Sequence, residues 1–405
     1  MEKKFRDFLS DFVFEEENKR STTIVNDISI GGKKIPTFTN EFWTSKQRQA
    51  HSLHEVSYRA CFKPQLPRFF IERLTNEGDV VYDPFSGRGT TMLEAALLGR
   101  NVHANDVNPL SAILSRPRLF IPTIDDLEER LDKIPQQKKI TPGIDLSMFY
   151  HRKTLDEMTA LRTYLSKSMS NQTDAWIRMV ATNRLTGHSK GFFSVYTLPP
   201  NQAASQSGQR KINILRKQKP EYRNTREIIV KKSIQLLRDV DDEVRSSLKK
   251  IGKRSLLITG DARRTKRIRS SSVQLTVTSP PFLDIVQYAQ DNWMRCWFNG
   301  IDAEVIGKKI TMSRTIEEWC GVMFEVFAEL HRITKPEGFV AFEVGEVRKG
   351  NIALEEFVVS LGMQAGFACE GIMYNAQSFT KTANIWGVSN NSKGTNSNRI
   401  VLFRK

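Results

Sequence analysis

Five consecutive residues, Thr278 to Phe282, have the chemistry needed to hold the exocyclic amino group of a nucleobase. That nitrogen is a poor nucleophile because its lone pair is delocalised into the ring. The Ser279 side chain and a backbone carbonyl can accept its two hydrogens, and neither Pro280 nor Pro281 has an N–H that competes for those acceptors. Phe282 can stack on the base. A plain strand-ending turn is the alternative, because Pro-Pro is common in loops.

A second Pro-Pro pair, in Leu198–Asn201, serves as an internal comparison. It also follows an apolar stretch, at 192–196, but an apolar residue precedes the prolines and no aromatic residue follows them. We therefore interpret this pair as structural.

A glycine turn lies in the segment Asp83–Thr91, which reads Asp-Pro-Phe-Ser-Gly-Arg-Gly-Thr-Thr between a predicted strand and a predicted helix. Open parallel sheets bind ligands at that position, the carboxyl end of a strand. Gly87 and Gly89 let the backbone approach a ligand closely and adopt positive φ. The segment is not a P-loop, and it lacks the third glycine of the pyrophosphate fingerprint.

Three aspartates follow successive predicted strands. Asp83 precedes the glycine turn, Asp106 ends the next strand, and Asp261 follows a later one. A carboxylate in the position of Asp106 can accept both hydrogens of a ribose diol, and one in the position of Asp261 can accept from an adenine amino group. The set favours a nucleoside cofactor without a pyrophosphate. Helix caps or Asx turns are the alternative for each acid taken alone.

The elements that position these residues alternate between strand and helix. Strands are predicted at 79–83 and 101–106 with a helix between them, which makes a βαβ unit and hence a parallel sheet. Further strands are predicted at 255–259, 273–278, 339–344, 368–374 and 399–403, with a helix near 319–332. The predicted fold class is α/β, a doubly wound, mostly parallel sheet with a helical insertion.

The chain divides into four predicted segments. Residues 1–45 form an N-terminal extension, and residues 46–115 form the first part of the core, with the glycine turn. Residues 116–250 form a mainly helical insertion. Residues 251–405 complete the core with the Ser-Pro-Pro-Phe segment and a closing hairpin.

Charge is concentrated in one part of the chain. The 405 residues have a formal net charge of +16. Residues 210–269 contain 20 Lys and Arg against 7 Asp and Glu, a net charge of +13. This stretch favours contact with a nucleic acid, with a solvated helix face as the alternative. A membrane surface is disfavoured because Pro220 interrupts the stretch and no apolar face with aromatic anchors accompanies it.

The remaining composition indicates a soluble, cytoplasmic protein. No apolar run approaches the roughly 18 to 20 residues that span a bilayer, and the N-terminus leads into the acidic run Glu15–Glu17 instead of an apolar signal core. The cysteines lie far apart without a Cys-x-x-Cys pair, at Cys61, Cys296, Cys320 and Cys369. That spacing argues against a disulfide framework and against a structural metal site.

Together, the glycine turn Asp83–Thr91 and the segment Thr278–Phe282 resemble the amino-group methyltransferases of DNA. These enzymes use S-adenosyl-L-methionine and methylate cytosine-N4 or adenine-N6. The resemblance covers about residues 45–110 and 250–405, including the stretch His54–Pro64 before the first core strand. It implies a class I, Rossmann-like methyltransferase fold with S-adenosyl-L-methionine as the cofactor.

The resemblance also implies roles for individual residues. Asp106 meets the ribose and Asp261 the adenine of the cofactor. The residues that line its methionine part are Asp83, Phe85, Gly87, Gly89 and Thr90. The catalytic tetrad is Ser279, Pro280, Pro281 and Phe282.

A serine opens the tetrad, which is the usual form among cytosine-N4 enzymes, so Ser279 favours cytosine in duplex DNA as the substrate. The implied reaction is direct transfer to a base flipped out of the duplex. The order of motifs differs from the commonest cytosine-N4 arrangement, because the glycine turn precedes the tetrad. The helical insertion between them is accordingly predicted as the target-recognition region.

Several alternatives remain open. One alternative to cytosine-N4 is a methyltransferase whose acceptor is adenine-N6 of DNA or an amino group of RNA. Another is a non-catalytic subunit that binds nucleic acid. A nicotinamide-dependent oxidoreductase fits the βαβ unit but leaves the Ser-Pro-Pro-Phe segment unexplained. The predicted partner is DNA, bound through residues 210–269, and a cognate restriction endonuclease is a further candidate. The oligomeric state is left open.

Overall fold

The computed structural model of the chain describes most of its length. The described residues are 2–16, 19–44, 50–59, 61–134, 143–167, 171–200, 202–281, 288–310, 313, 315–345, 352–376 and 397–405.

Helices and strands alternate through the core, as the sequence predicts. The helices are α1 (Glu2–Asp11), α2 (Gln65–Leu74), α3 (Thr90–Leu97), α4 (Pro109–Ser115), α5 (Ile124–Asp132), α6 (Arg152–Lys167), α7 (Gln172–Arg184), α8 (Gln206–Leu215), α9 (Thr225–Leu236), α10 (Asp242–Arg254), α11 (Tyr288–Asn299), α12 (Ala303–Lys309), α13 (Ile316–Ile333) and α14 (Leu354–Gln364). The strands are β1 (Val13–Glu16), β2 (Lys19–Thr22), β3 (Ile24–Ile30), β4 (Lys33–Asn40), β5 (Val80–Asp83), β6 (Asn101–Asp106), β7 (Leu256–Thr259), β8 (Val273–Thr278), β9 (Thr334–Val344), β10 (Ala368–Ala376) and β11 (Ser397–Arg404).

Nine strands form one mixed sheet in the order β3-β4-β10-β11-β9-β8-β5-β6-β7. The five strands from β9 to β7 are parallel to one another, and β10 and β11 form the closing antiparallel hairpin. The predicted class, an α/β fold with a mostly parallel sheet of the Rossmann-like type, is confirmed.

The order of the parallel strands reverses between β5 and β8. From β5 the chain proceeds outward to β6 and β7, and it then returns to add β8 and β9 on the other side of β5. Open α/β sheets bind ligands in the crevice outside the carboxyl ends of strands at such a switch point. The residues that follow β5 and β8, Asp83–Thr91 and Thr278–Pro281, therefore border the same crevice.

The N-terminal segment contributes to this sheet, in contrast to the predicted extension over 1–45. β4 pairs in parallel with β10, and β3 pairs with β4 to form one edge. Ile35 and Phe38 of β4 are buried, whereas Ile24 and Val25 of the edge strand are 60% and 46% exposed. Because much of the segment is polar and its partner strand lies more than 300 residues away, local patterning did not predict this pairing.

The helices between β6 and β7 share a core with the sheet. Trp176 of α7 is fully buried in the same hydrophobic cluster as Val81 of β5 and Val102 of β6. Its indole N–H donates to the hydroxyl of Ser233 on α9 at 3.0 Å. The helical segment therefore packs as part of the core domain. None of the helices described is long and apolar enough to span a membrane.

Candidate active site

The glycine turn has a geometry that only glycine accommodates at Gly89. This residue lies at the N-cap of α3 with a φ of 76°, in the left-handed region. A Cβ there would lie 2.6 Å from the Cβ of Ser115, so the turn packs directly on α4. Gly87 also has a positive φ, 51°, and its amide donates to Asp106 Oδ2 at 2.7 Å. The turn is thereby joined to the end of β6.

A buried arginine clamps the same turn from behind. The Arg118 guanidinium is fully buried, and it donates to the backbone carbonyls of Arg88, Leu53 and Leu114. Burial lowers the pKa of Arg118 to about 9. One side chain thus connects the glycine turn, the segment before α2 and the helix α4. The sequence reasoning missed this residue, since an isolated arginine has no distinguishing signal.

Asp83 is buried at the switch point and ties β5 to β8. Its Oδ1 accepts from the Thr278 hydroxyl at 2.6 Å and from the amide of Phe85 at 3.1 Å. Burial raises the pKa of Asp83 to about 7, although these hydrogen bonds and one from Thr91 oppose the rise. The carboxyl group therefore holds the carboxyl ends of the two strands together.

Asp106 faces the crevice at the end of β6. Its Oδ1 accepts from the amide of Asn108 at 2.9 Å, and its Oδ2 accepts from Gly87. Burial raises the pKa of Asp106 to about 6, against the effect of these two amides. Beside it, Asn105 Oδ1 is buried and makes no hydrogen bond within the described residues, while Asn105 Nδ2 donates to Pro84 and Gly260 carbonyls.

Asp261 lies at the outer rim. It is exposed, it accepts from the amide of Arg263 at 2.9 Å, and it forms an ion pair with the Arg263 guanidinium at 2.6 Å. The hydrogen bond to Arg263 is the main cause that holds the pKa of Asp261 below its usual value. Like Asp83 and Asp106, it accepts from the amide two residues further along the chain and so forms an Asx turn. The Asx turns considered as an alternative role for these acids are therefore present.

One cavity joins the two groups of predicted site residues. Those that line it are Phe85, Gly87, Asp106, Asp261, Ser279, Pro280 and Pro281. Asp83, Gly89 and Thr90 are not part of the described lining, and they lie behind it as buried supports of the turn. Phe282 falls outside the described residues. The structure therefore brings together seven predicted positions from β5, β6, β7 and β8.

Ser279 has a partner that the sequence did not indicate. Its hydroxyl hydrogen-bonds to the carboxyl group of Glu343, which is buried on β9. Asn398 Nδ2 donates to the same carboxyl group at 3.1 Å. Burial raises the pKa of Glu343, and the two hydrogen bonds oppose this. Glu343 is an acidic residue within the apolar run Phe339–Val344 of β9, which is a signal that could have identified it.

The Pro-Pro turn is held from the other side by a tryptophan. The fully buried Trp319 of α13 donates its indole N–H to the carbonyl of Pro281 at 3.0 Å. The second proline of the comparison pair, Pro200, likewise presents its carbonyl to a side-chain donor, the Arg295 guanidinium. The turn after β8 is therefore fixed at both ends, by Asp83 at Thr278 and by Trp319 at Pro281.

A pair of tyrosines completes the cavity wall. Asn108 Nδ2 donates to the hydroxyl of Tyr58 at 2.8 Å, and the Tyr288 hydroxyl donates to Asn108 Oδ1 at 2.5 Å. Both rings line the cavity, and a Cβ at Gly87 would lie 3.7 Å from the Tyr58 ring. The network joins the segment before α2 to α4 and α11, which are distant in sequence.

These residues fit a nucleoside-containing cofactor. The Asp106 carboxylate and the unpaired Asn105 Oδ1 are acceptors for hydroxyl or amino hydrogens. Apolar side chains that can contact a flat base lie in the same wall, at Phe85, Ala262, Val322 and Val326. The turn carries no lysine and no third glycine that a pyrophosphate would call for.

The comparisons with known proteins agree with this chemistry. Residues 10–154 match the DNA methylase family of N6 and N4 methyltransferases. The Type II methyltransferase M.MjaII of Methanocaldococcus jannaschii is 29% identical over 100 residues, 24% of this chain and 18% of that protein. M.BsoBI of Geobacillus stearothermophilus is 22% identical over 313 residues, which are 70% of this chain and 60% of that protein. M.MvaI of Kocuria varians is 36% identical over 78 residues, which are 18% of this chain and 17% of that protein.

Each of these matches spans less than two thirds of the relative's own length. The resemblance of this chain to the DNA amino-methyltransferases is nevertheless confirmed, and with it the prediction of S-adenosyl-L-methionine as the cofactor. The comparisons do not separate the N4 from the N6 enzymes.

The basic stretch 210–269 is divided between two edges of the molecule. Its last residues lie at the amino ends of the strands, where the Ser271 amide donates to the Arg332 carbonyl at 3.0 Å, directly before β9. Its first part begins within α8, shortly after Ala204, whose carbonyl accepts from the indole of Trp293 on α11. Tyr288 of the same helix lines the cavity. Because β7 runs across the sheet inside the stretch, the residues that flank this strand, Arg254 and Arg263, lie at opposite ends of the strands.

Proposed function

We propose that this chain is a site-specific DNA methyltransferase that transfers a methyl group from S-adenosyl-L-methionine to the N4 amino group of cytosine in duplex DNA. The observation that carries the proposal is the cavity that Ser279, Pro280 and Pro281 share with Gly87 and Asp106. A cofactor on one side of this cavity and a base on the other would be in contact.

The cofactor side is formed by the ends of β5, β6 and β7. The Asp106 carboxylate accepts from the ribose hydroxyls, Asp261 accepts from the adenine amino group, and Phe85 contributes apolar surface. S-adenosyl-L-methionine bound there supplies an electrophilic methyl group.

The base side is formed by the turn after β8. Because the Ser279 hydroxyl donates to Glu343, the lone pairs on Ser279 Oγ remain free to accept a hydrogen of the cytosine amino group. A second acceptor is a backbone carbonyl of the Pro-Pro turn, which Asp83 and Trp319 hold in position. Catalysis rests on positioning and exclusion of water, and extrusion of the base costs a few kcal/mol.

A serine at the first tetrad position supports cytosine over adenine. Adenine-N6 is the second candidate, since the matched family includes both kinds of enzyme. DNA from a host that expresses the chain, sequenced with methylation-sensitive detection, should contain N4-methylcytosine at one sequence, and mass analysis of the nucleosides should agree. N6-methyladenine would contradict the cytosine assignment, and unmodified DNA would contradict the proposal as a whole.

The serine itself can be tested with a matched control. We expect Ser279→Ala to lower kcat/KM by roughly a hundredfold or more, because an acceptor positioned for the reacting group is lost. Cofactor affinity, measured by calorimetry, should stay within about twofold, since Ser279 lies on the base side. Ser360→Ala, an exposed serine on α14, should match the wild type in both measurements. Full activity of Ser279→Ala would refute the assignment.

A further inference from the structure

The C-terminal tip of α8 presents two adjacent apolar side chains to solvent. Ile214 is 79% exposed and Leu215 is 85% exposed, the two highest values among the large hydrophobic residues described. Burial of a leucine or isoleucine side chain is favourable, so a fully exposed pair is unusual for a folded surface. Nothing in the described part of the chain covers them.

Backbone hydrogen bonds close the tip, although these two side chains pack on nothing in the described part of the chain. The amides of Lys217 and Gln218 donate to the carbonyls of Ile214 and Asn213, at 3.1 and 3.0 Å, which closes the helix in a Schellman motif. Lys217 adopts the left-handed conformation with a φ of 49°, where glycine is usual. The helix end is therefore fixed by its own hydrogen bonds.

Side chains on the inner face of the tip bind it to the rest of the molecule. Gln218 Nε2 donates to the carbonyl of Tyr196 at 2.9 Å and to Asn213 Oδ1 at 2.8 Å. Asn213 Nδ2 donates to the carbonyl of Met148 at 2.7 Å. The Arg216 guanidinium lies 3.7 Å from the centre of the Tyr196 ring. These contacts fix the tip to the rest of the molecule and leave Ile214 and Leu215 facing solvent.

The surroundings of the pair are basic. Residues 210–219 contain five Lys and Arg and no Asp or Glu, and Lys211, Lys217 and Lys219 are all exposed. A second copy of this chain would bring a surface of the same sign, which repels. A polyanion is attracted by the same charges, and a DNA duplex offers both phosphates and an apolar interior between stacked bases.

The tip is also placed within reach of the cavity. The segment that leads into α8 is bonded to α11, where the Trp293 indole donates to the carbonyl of Ala204 at 3.2 Å, and Tyr288 of α11 lines the cavity. The helix α8 has ten residues and is about 15 Å long, so its tip lies within roughly one helical turn of duplex, about 34 Å, of this contact with α11. A duplex with one base in the cavity can therefore contact the tip.

We propose that Ile214 and Leu215 form an apolar wedge that enters the base stack of the DNA substrate and stabilises the duplex from which the target base has been extruded. This inference rests on the proposed function, since it requires a flipped base. Exposed lysines beside the wedge hold the flanking phosphates. Leucine and isoleucine are among the side chains that proteins insert between base steps.

The test compares two duplexes that contain the sequence located by the methylation experiment. In one the target base is paired, and in the other its partner is an abasic position, so that extrusion costs less. For Ile214→Ser/Leu215→Ser we expect kcat/KM to fall roughly 30-fold on the paired duplex and to stay within about threefold of wild type on the abasic duplex. Ile214→Met/Leu215→Met should retain activity on both.

Control variants distinguish insertion into the base stack from a general effect of exposed apolar residues and from self-association. Ile234→Ser removes another exposed apolar residue, 53% exposed on α9, and should leave both rates unchanged. Equal loss on the two duplexes, or no loss on either, would overturn the wedge. A wild-type dimer that the serine variant dissociates in sedimentation would overturn it as well, in favour of self-association. Failure of the wild type on both duplexes would instead reject the proposed function.

Discussion

At the scale of single residues, the cavity depends on carboxyl groups in different surroundings. Asp106 and Asp83 have raised pKa values because the protein encloses them, whereas Asp261 at the rim has a lowered pKa because Arg263 binds it. Glu343 is buried and acts through the Ser279 hydroxyl. The same functional group thus holds strands, accepts ligand hydrogens or orients a neighbour, according to its burial and partners.

The pKa of Asp106 predicts how cofactor affinity depends on pH. Only the ionised carboxylate can accept further hydrogens on both of its oxygens, and the pKa of about 6 means that it becomes protonated as the pH falls through 6. We expect the affinity for S-adenosyl-L-methionine, measured by calorimetry, to be about tenfold lower at pH 5 than at pH 7.

The variant Asp106→Asn is the control for that dependence. It should bind the cofactor more weakly at pH 7 and show little change between pH 5 and pH 8. A raised pKa also means that the ionised group opposes folding, so the free energy of unfolding of the ligand-free wild type should decrease relative to Asp106→Asn as the pH rises from about 4 through 6. An identical pH profile in both proteins would contradict this role.

At the scale of elements, the site is built from turns that join a strand to a helix. The turn after β5 requires the left-handed conformation at Gly89 and direct contact with α4. The turn after β8 is held by Asp83 and Trp319. Packing therefore sets the shape of both turns before any ligand is present.

Two glycines with similar φ values allow the cost of backbone conformation to be measured separately from the cost of steric overlap. Gly78 has a φ of 81°, and no described atom lies within 4 Å of the position that a Cβ would occupy. Gly89 has a φ of 76°, and a Cβ there would lie 2.6 Å from Ser115. We expect Gly78→Ala to lower the free energy of unfolding by about 1 kcal/mol, from conformation alone. Gly89→Ala should lower it by about 3 kcal/mol, since the overlap adds to that cost.

Denaturant unfolding of the two variants measures the difference directly. Gly89→Ala should also weaken cofactor binding, because the turn shifts away from α4, while Gly78→Ala should leave it unchanged. Equal destabilisation of the two variants would show that the contact between Gly89 and Ser115 is not tight.

At the scale of the whole molecule, the sheet separates two basic surfaces. Lys211, Lys217 and Lys219 belong to α8 and its end, and the segment that leads into α8 is bonded to α11 beside the cavity. Lys253 and Arg254 directly precede β7 at the amino ends of the strands. We expect a duplex whose base enters the cavity to contact the first group and not the second. The total charge of the stretch therefore overstates the part that can contact one DNA molecule.

The salt dependence of DNA binding tests this division. Substitution of Lys211, Lys217 and Lys219 by Gln should reduce the slope of log affinity against log salt concentration by about 2 to 3, since each phosphate contact contributes ~0.9. The matched variant with Gln at 253, 254 and 269 should keep the wild-type slope. Fluorescence anisotropy at several salt concentrations measures both, and equal slopes in the two triple variants would contradict the division.

Local patterns were sufficient for the alternation of strands and helices, the glycine turn and the closing hairpin, because periodicity and turn chemistry depend on neighbouring residues. The sequence also indicated the two groups of site residues. Only the tertiary structure showed that Asp83 lies behind the cavity, that Glu343 holds Ser279, that β4 joins the sheet and that the basic stretch is divided. Each of these features depends on contacts between residues that are far apart in the chain. The pairing of strands and the packing of helices determine those contacts, and local sequence patterns do not.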